Sequence, residues 1–437
     1  MARKPNVVLL TVDSLRADRL GCYGYPRETS PHVDALAEEG VLCERMFCSV
    51  LPTQPSYTTL HTGQHPIHHG IVGHGGEAEL KASSPYLPEV FLQAGYSTCA
   101  VDSLWGEKGW FGRGYEYYID PGIRHHLNLS VTCEELNSRA IPWIREHAGE
   151  PFFLFMHYWD PHTPYTPPKA YQKLFYQGDP SDPNNHSLDN AWAHPISALV
   201  RDVWLRLPTG PVTDAEYVKA LYDQEVRHMD DGIGEMLAAL DDLGLTEDTL
   251  VIFVADHGES LDEHGIYFEH HGLYDSTLHV PFLVRWPGRV AEGRRLPQMF
   301  QTHDIAPTIL EACGLAAPPA MDGRSFWKDL TGEQQGGRDK IFSLECTLQA
   351  KWSLRTSDYK FILARERDFY GTPMRELYDL KADPGENHNR VDELPEVAAR
   401  MEAELEGWIS KRLAELGRTE DPLREQGITM KAVMETH

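Results

Sequence analysis

No apolar run in this chain approaches the ~20 residues that a membrane-spanning helix requires. Val7-Val8-Leu9-Leu10, directly after Met1-Ala2-Arg3-Lys4-Pro5, is also too short for the apolar core of a signal peptide. Cysteine is scarce: the 7 residues are an odd number without metal-ligand spacing, and they read as reduced thiols. Both shortages predict a cytoplasmic protein that does not engage membranes. Positive charge is short as well, with 40 Lys and Arg against 66 Asp and Glu and a formal charge of −26. Such a surface repels nucleic acid and anionic membranes, which removes both as expected partners. It would repel an anionic substrate too, unless a metal and a few local cations reverse the sign inside a pocket. Internal repeats and low-complexity blocks are also missing. What remains is an ordinary apolar content, with Pro and Gly spread along the chain, as in a globular protein with sizeable loops. The 437 residues suffice for one large domain and a smaller one, and a homo-oligomer is left open.

The pattern of elements is α/β. Asn6 to Thr11 is strand-like and ends at Val12-Asp13, the position where open α/β sheets place ligands. Val33 to Glu39 reads as a helix, with Ser30-Pro31 as cap and first turn. Thr98 to Val101 and Phe152 to Met156 are apolar on both faces, as buried parallel strands are. Tyr222, Val226, Met229, Ile233, Leu237 and Leu240 recur at spacings of three and four, predicting one long amphipathic helix that closes near Gly244. The next strand, Leu250 to Val254, runs into Ala255-Asp256-His257-Gly258. This alternation predicts a large, mostly parallel sheet sandwiched by helices over 1–337. Residues 175–212 dissolve into Asp, Pro, Asn and Gly and read as a lid-like insertion. Residues 338–437 change texture to short β-like pieces (Trp352 to Arg355, Tyr359 to Ile362) and a charged helix around Glu393 to Leu416. They predict a small C-terminal α+β subdomain with a loosely structured tail.

Asp13, Thr53, Asp256 and His257 all fall at predicted strand ends or a helix start. Those ends share one edge of an open sheet, so the four side chains can converge. Two carboxylates, an imidazole and a hydroxyl suit one divalent cation, with manganese or zinc favoured by the imidazole over calcium. Asp13 alone reads equally well as a capping or loop carboxylate. His162, between prolines at a strand end, is expected to face the pocket, and His270 with His271 can either join it or face solvent. His61 and His264 read as structural. The cluster His65, His68, His69 and His74 reads as loop histidines ahead of a second metal.

Thr53-Gln54-Pro55-Ser56-Tyr57, running to Thr62-Gly63, resembles the C-x-P-S-R signature of the sulfatases, within the alkaline phosphatase superfamily. Thr11 to Asp18, Asp160-Pro161-His162-Thr163-Pro164-Tyr165, Ala255 to Glu259, Tyr274 to Pro281 with Arg285-Trp286-Pro287-Gly288, Asp304 to Ile309 and Glu376 to Pro384 are similar to further motifs of that family, in its order. The resemblance implies the family's fold but not a substrate, since the superfamily handles sulfate, phosphate and phosphonate esters. Sulfatases oxidise the first Cys or Ser of the signature to formylglycine. Threonine cannot become an aldehyde, so Thr53 implies a plain hydroxyl nucleophile and no formylglycine. Ser14 stands where the family has a second acidic or amide ligand, and Tyr57 where it has Arg. Asp102-Ser103-Leu104-Trp105 replaces its G-K-W-H, and His270 its late lysine. Thr53, His162 and His270 are thus the expected catalytic residues. Tyr57, Trp105 and His271 are the expected substrate contacts, although Trp105 reads equally as core packing.

These departures predict a metal-dependent hydrolase of small anionic phosphoesters, a phosphodiester or phosphonate monoester ahead of a bare monoester. A phosphotransferase shares its first half-reaction. A sulfatase working without formylglycine is the alternative, and a catalytically silent sulfatase-like binding protein a third.

Overall fold

The computed structural model describes residues 4–124, 131–194, 196–197, 200–207 and 210–435. In chain order its strands are Asn6–Val12 (β1), Val41–Phe47 (β2), Val50–Leu51 (β3), Ser97–Val101 (β4), Tyr117–Ile119 (β5), Phe152–Tyr158 (β6), Arg206–Leu207 (β7), Gly210–Pro211 (β8), Thr249–Ala255 (β9), His279–Val280 (β10), Phe282–Arg285 (β11), Arg294–Gln301 (β12), Ile341–Glu345 (β13), Lys351–Arg355 (β14), Tyr359–Ala364 (β15) and Arg375–Asp379 (β16). The large sheet has the order β10-β2-β11-β9-β1-β6-β4-β5, with β12 also pairing to β2. β1, β6 and β9 are buried at every residue, which is why their sequences are apolar on both faces. The sheet is parallel from β9 through β1, β6 and β4 to β5, as expected. It turns antiparallel where β11 joins β9 and β2. The connection from β9 to β11 carries the short helix Asp275–Leu278 and the two-residue strand β10, with no long crossover helix.

The predicted long helix spans Ala215–Asp242, and all six residues of its apolar stripe are buried. It packs on the Cys133–His147 helix, which starts with a Thr132/Glu135 capping box. The first helix runs over Pro31–Glu38, but the Ser30 side chain does not cap it. Asp230 of the long helix accepts the His32 and Val33 amides instead, at 2.9 and 2.8 Å. The 175–212 segment contains the short helix Asp189–Ala193 and the β7–β8 hairpin. Residues 195, 198–199 and 208–209 of that expected lid lie outside the described residues.

The second sheet, β16-β15-β14-β13-β3, contains one strand from far outside the C-terminal region. β3 pairs parallel with β13, Val50 opposite Leu344 and Leu51 opposite Glu345. Two residues leave no periodicity to read, so the sequence boundary at 337/338 assigned them to the first domain alone. Their consequence is functional, because Thr53 opens the helix that follows β3. The end of the chain also differs from the expected loose tail. Pro422–Gln426 is helical, capped by Asp421, whose carboxylate also accepts the Trp352 indole N–H at 3.1 Å. Leu423 and Ile428 are buried in the second core, beneath the Pro395–Glu415 helix. Leu423→Ala should therefore cost about 2–5 kcal/mol, read as a lower urea midpoint. A change within ±0.5 kcal/mol, typical of surface positions, would show that the tail is not anchored.

Candidate active site

The registers of three parallel strands bring the chemistry together. Val12 lies opposite Ala255 and Thr11 opposite His157, so Asp13, Asp256 and His157 leave or line one sheet edge. The chain after β1 turns sharply at Ser14, which has φ 56°, and the Ser14 amide donates to Asp256 Oδ1 at 3.2 Å. The His257 amide donates to the same oxygen at 2.8 Å. Thr53 begins the Thr53–Thr62 helix. Its hydroxyl lies 3.4 Å from Asp13 Oδ2 and 3.2 Å from His257 Nε2. The four residues expected to share a cation thus do meet, and all are buried.

The donor set fits a divalent cation on its own terms. Asp13, Asp256 and His257 offer one ligand atom each, all within 4.8 Å of one another. Asp256 Oδ2 is buried without a hydrogen-bond partner, a costly state for a carboxylate unless a cation meets it. His257 Nδ1 donates to the Gly258 carbonyl at 2.9 Å, which leaves Nε2 as a lone pair directed at the carboxylates. Burial pushes this imidazole down to about 4, so it is neutral and ready to ligate. Burial, and then the charge of Asp13, push Asp256 well above the carboxylate range. That is the expected response of two anions crowded together with nothing between them.

His157, absent from the sequence reading, is the buried cation of the site. Its Nδ1 meets Asp102 Oδ1 at 2.8 Å and its Nε2 meets Asp13 Oδ2 at 3.2 Å. Burial opposes its charge, but the hydrogen bonds to Asp102 and Asp13 raise it to about 10. In return, and against the desolvation of Asp13, the His157 hydrogen bond holds that carboxyl well below its usual range. Asp102, which stands in the segment lacking the family's lysine and histidine, thereby acts on Asp13 through His157.

Histidines form the opposite rim. The His162 ring lies 4.8 Å from that of His270, which lies 5.1 Å from His257 and 5.0 Å from His271. Burial, and then the fields of His162, His271 and His257, drive His270 well below the usual imidazole value. His271 Nδ1 is 2.6 Å from Glu345 Oε1; burial opposes its protonation, but Glu345 raises it. Glu345 is the β13 residue opposite Leu51, so the second sheet both delivers Thr53 and raises the pKa of His271. Burial lowers the pKa of His74, whose amide donates to Thr347 Oγ1 at 2.9 Å. The sequence reading had set it among the loop histidines. The others of that run are occupied elsewhere, His65 with the Phe342 carbonyl, His68 with Asp322 and His69 with Thr59. His61 bonds the Tyr57 carbonyl and the Tyr115 hydroxyl.

Tyr57 and Trp105, both expected as substrate contacts, differ in placement. Tyr57 is fully buried, its hydroxyl donating to Thr11 Oγ1 at 3.2 Å and its ring lying 4.5 Å from His157. It packs behind the site because the helix turns position 57 towards the sheet. Trp105 is 53% exposed and rests on Tyr118, so it is neither core nor part of the Thr53 cluster.

The sulfatase family profile matches residues 5–315, and the C-terminal profile of N-sulphoglucosamine sulphohydrolase matches 262–412. An arylsulfatase of Clostridium perfringens (strain 13 / Type A) is 26% identical, over 89% of this chain and 90% of that protein. The multifunctional alkaline phosphatase superfamily protein PehA of Trinickia caryophylli is 24% identical over 99% of this chain and 100% of its own length. Among solved structures, the phosphonate monoester hydrolase of Agrobacterium radiobacter shares the fold at a TM-score of 0.70 and 22% identity, covering 94% and 95% of the two chains. With its profile spanning most of the sequence and its strand ends bearing a cation-ready cluster, this chain belongs to the sulfatase family and is an ester hydrolase.

Proposed function

We propose that the protein is a metal-dependent phosphoester hydrolase with Thr53 as an unmodified nucleophile, acting on a phosphodiester or phosphonate monoester. The observation that carries this reading is the Thr53 hydroxyl at the head of its helix, 3.4 Å from Asp13 and 3.2 Å from His257. A divalent cation held by Asp13, Asp256 and His257, with the Thr53 hydroxyl in reach, supplies a lowered hydroxyl pKa and neutralises charge on the oxyanion. Manganese or zinc suits the imidazole better than calcium does.

Thr53 Oγ attacks phosphorus, the P–O bond to the leaving alcohol breaks, and a phosphothreonine (or phosphonothreonine) ester remains. Water then cleaves that ester at phosphorus and returns the Thr53 hydroxyl. His157, held charged between Asp102 and Asp13, keeps Asp13 ionised and oriented. His162, His270 and His271, clustered beside His257, are the groups assigned to the transferred group. Glu345 favours the protonated form of His271, and His162 or His270 delivers the proton to the departing oxygen. Burial makes His74 and His270 reluctant to protonate, and an arriving anion relieves that reluctance. The seven thiols, none of them in a disulfide, suit the cytoplasmic location proposed with this activity.

His162→Ala should slow hydrolysis roughly 10²–10⁴-fold for alkyl leaving groups and much less for nitrophenyl esters, which need little protonation. Equal losses for both would assign His162 to binding alone. The similarity to an arylsulfatase favours a second reading, sulfate-ester hydrolysis by unmodified threonine. Parallel assays on aryl phosphate mono- and diesters, an aryl phosphonate and an aryl sulfate separate the two.

A further inference from the structure

A cavity of about 490 Å³ borders both the 175–212 insertion and the long helix, a size ordinary for small-molecule sites. Its aromatic lining comes from three places. Tyr165 belongs to the segment that carries His162, Tyr176 and Trp204 to the insertion, and Tyr217 to the Ala215–Asp242 helix. Tyr176 and Tyr217 meet edge to face, with ring centroids 5.2 Å apart. Leu221 follows Tyr217 by one turn and lines the same space. Lys173 is the one charged residue of the lining. A lone lysine offers a ring a cation–π partner but is no match for a polyanion.

Tyr165 ties this cavity to the Thr53 cluster through two neighbours. Its ring stands edge-on to that of Tyr222, centroids 5.4 Å apart, and the Tyr222 hydroxyl donates to the carbonyl of Ser14, next to Asp13, at 2.8 Å. The second neighbour is Glu259, which after burial is the main influence raising the Tyr165 phenol well above its usual range. Glu259 Oε2 in turn lies 3.9 Å from His270 Nδ1. The polar groups along this path are unpaired. Thr163 Oγ1, the Tyr165 hydroxyl, both carboxyl oxygens of Glu259 and His270 Nδ1 are all buried without a hydrogen-bond partner. Buried polar groups are normally paired, so such a run, leading from an aromatic cavity to the histidine rim, suits the polar end of a ligand whose ring sits in the cavity.

Building on Thr53 as the nucleophile of an ester hydrolase, we propose that this cavity is the subsite for the leaving alcohol of the substrate, and that it selects an alcohol carrying an aromatic ring. The ring lies among Tyr165, Tyr176, Trp204 and Tyr217. The ester oxygen reaches past Tyr165 and Glu259 and departs beside His162 and His270. The insertion thereby sets which alcohol is released, while the Thr53 cluster sets which bond is broken.

Calorimetric titration with naphthol tests the subsite apart from any chemistry at phosphorus. The wild type should bind it saturably, and Leu221→Trp, which fills the cavity from a rigid helix, should weaken binding roughly tenfold or more. Two methylphosphonate monoesters, one with a naphthylethyl and one with a methyl leaving group, then test its use in turnover. The ratio of their kcat/KM values, naphthylethyl over methyl, should fall roughly tenfold or more in Leu221→Trp. Tyr176→Ala removes one ring without altering the helix, should lower the same ratio, and serves where Leu221→Trp fails to fold. A wild type that binds no naphthol, or a ratio unchanged in the folded variants, would overturn the proposal. Naphthol bound by the wild type and lost in Leu221→Trp, with neither ester turned over, would keep the subsite and reject the phosphoester reading alone.

Discussion

Thr53→Ala is expected to lose nearly all turnover, roughly 10⁴–10⁶-fold as for other nucleophile deletions, while binding of a non-hydrolysed anion changes little. A secondary hydroxyl is a poor attacker at neutral pH, and the position of Thr53 remedies that with two carboxylates and a neutral imidazole arranged for a cation. Thr53→Ser keeps the attacking oxygen and should retain a measurable part of the rate. The contrast between the two variants separates chemistry from packing, because the methyl lost in both is the same. The reading also predicts preference for phosphorus. Formylglycine can expel sulfate through its second geminal hydroxyl, whereas a sulfated threonine must be cleared by water at sulfur. Mass spectrometry of the Thr53 peptide should show plain threonine at rest and a phosphorylated form after acid quench. Fast turnover of an aryl sulfate with negligible turnover of every phosphoester would reverse the assignment.

Asp256→Ala should remove the Thr53-site cation and with it roughly 10²–10⁴ in rate, the worth of several kcal/mol of charge stabilisation. Its Oδ1 is already committed to the Ser14 and His257 amides, so Oδ2, buried and without a partner, is the atom that a cation would claim. The sign of the stability change tests this more sharply than activity does. Without metal, Asp256 is crowded against Asp13, and burial and then that charge hold its pKa well above the carboxylate range. Asp256→Asn should therefore leave the metal-stripped protein as stable as the wild type or more so. With metal present the order should invert, because ligand binding stabilises only a fold that can bind. A wild type whose melting temperature is the same with and without manganese or zinc would argue against the site.

Much of this arrangement was legible in the chain. Apolar runs ending at Asp13 and at Asp256-His257 declare buried parallel strands whose ends carry polar groups, and the Thr53 segment declares a helix start. The lone histidine in Phe152-Phe153-Leu154-Phe155-Met156-His157 was not legible as a functional group. Only its pairing opposite Thr11 brings it beside Asp13, and pairing register is not encoded in one strand. Tyr57 misled for a related reason. Its place after the nucleophile suggested the pocket, yet rotation about the helix axis sends it into the core.

The sequence by itself determined the α/β class, several of the strands and helices, and the candidate site residues Asp13, Thr53, Asp256 and His257 among a surplus of histidines. These follow from local properties, namely which residues are apolar on both faces and which functional groups interrupt them. Tertiary structure decided which histidines count. His157, His162, His270 and His271 gather around the Thr53 cluster, while His61, His65, His68 and His69 spend their nitrogens elsewhere. It also decided that the two-residue strand Val50–Leu51 would join the C-terminal sheet, placing Leu51, two residues before Thr53, opposite Glu345. The physical reason is the same in both cases. A side chain's composition is written in the sequence, but its partner is set by long-range register and helix rotation, which only the packed core fixes.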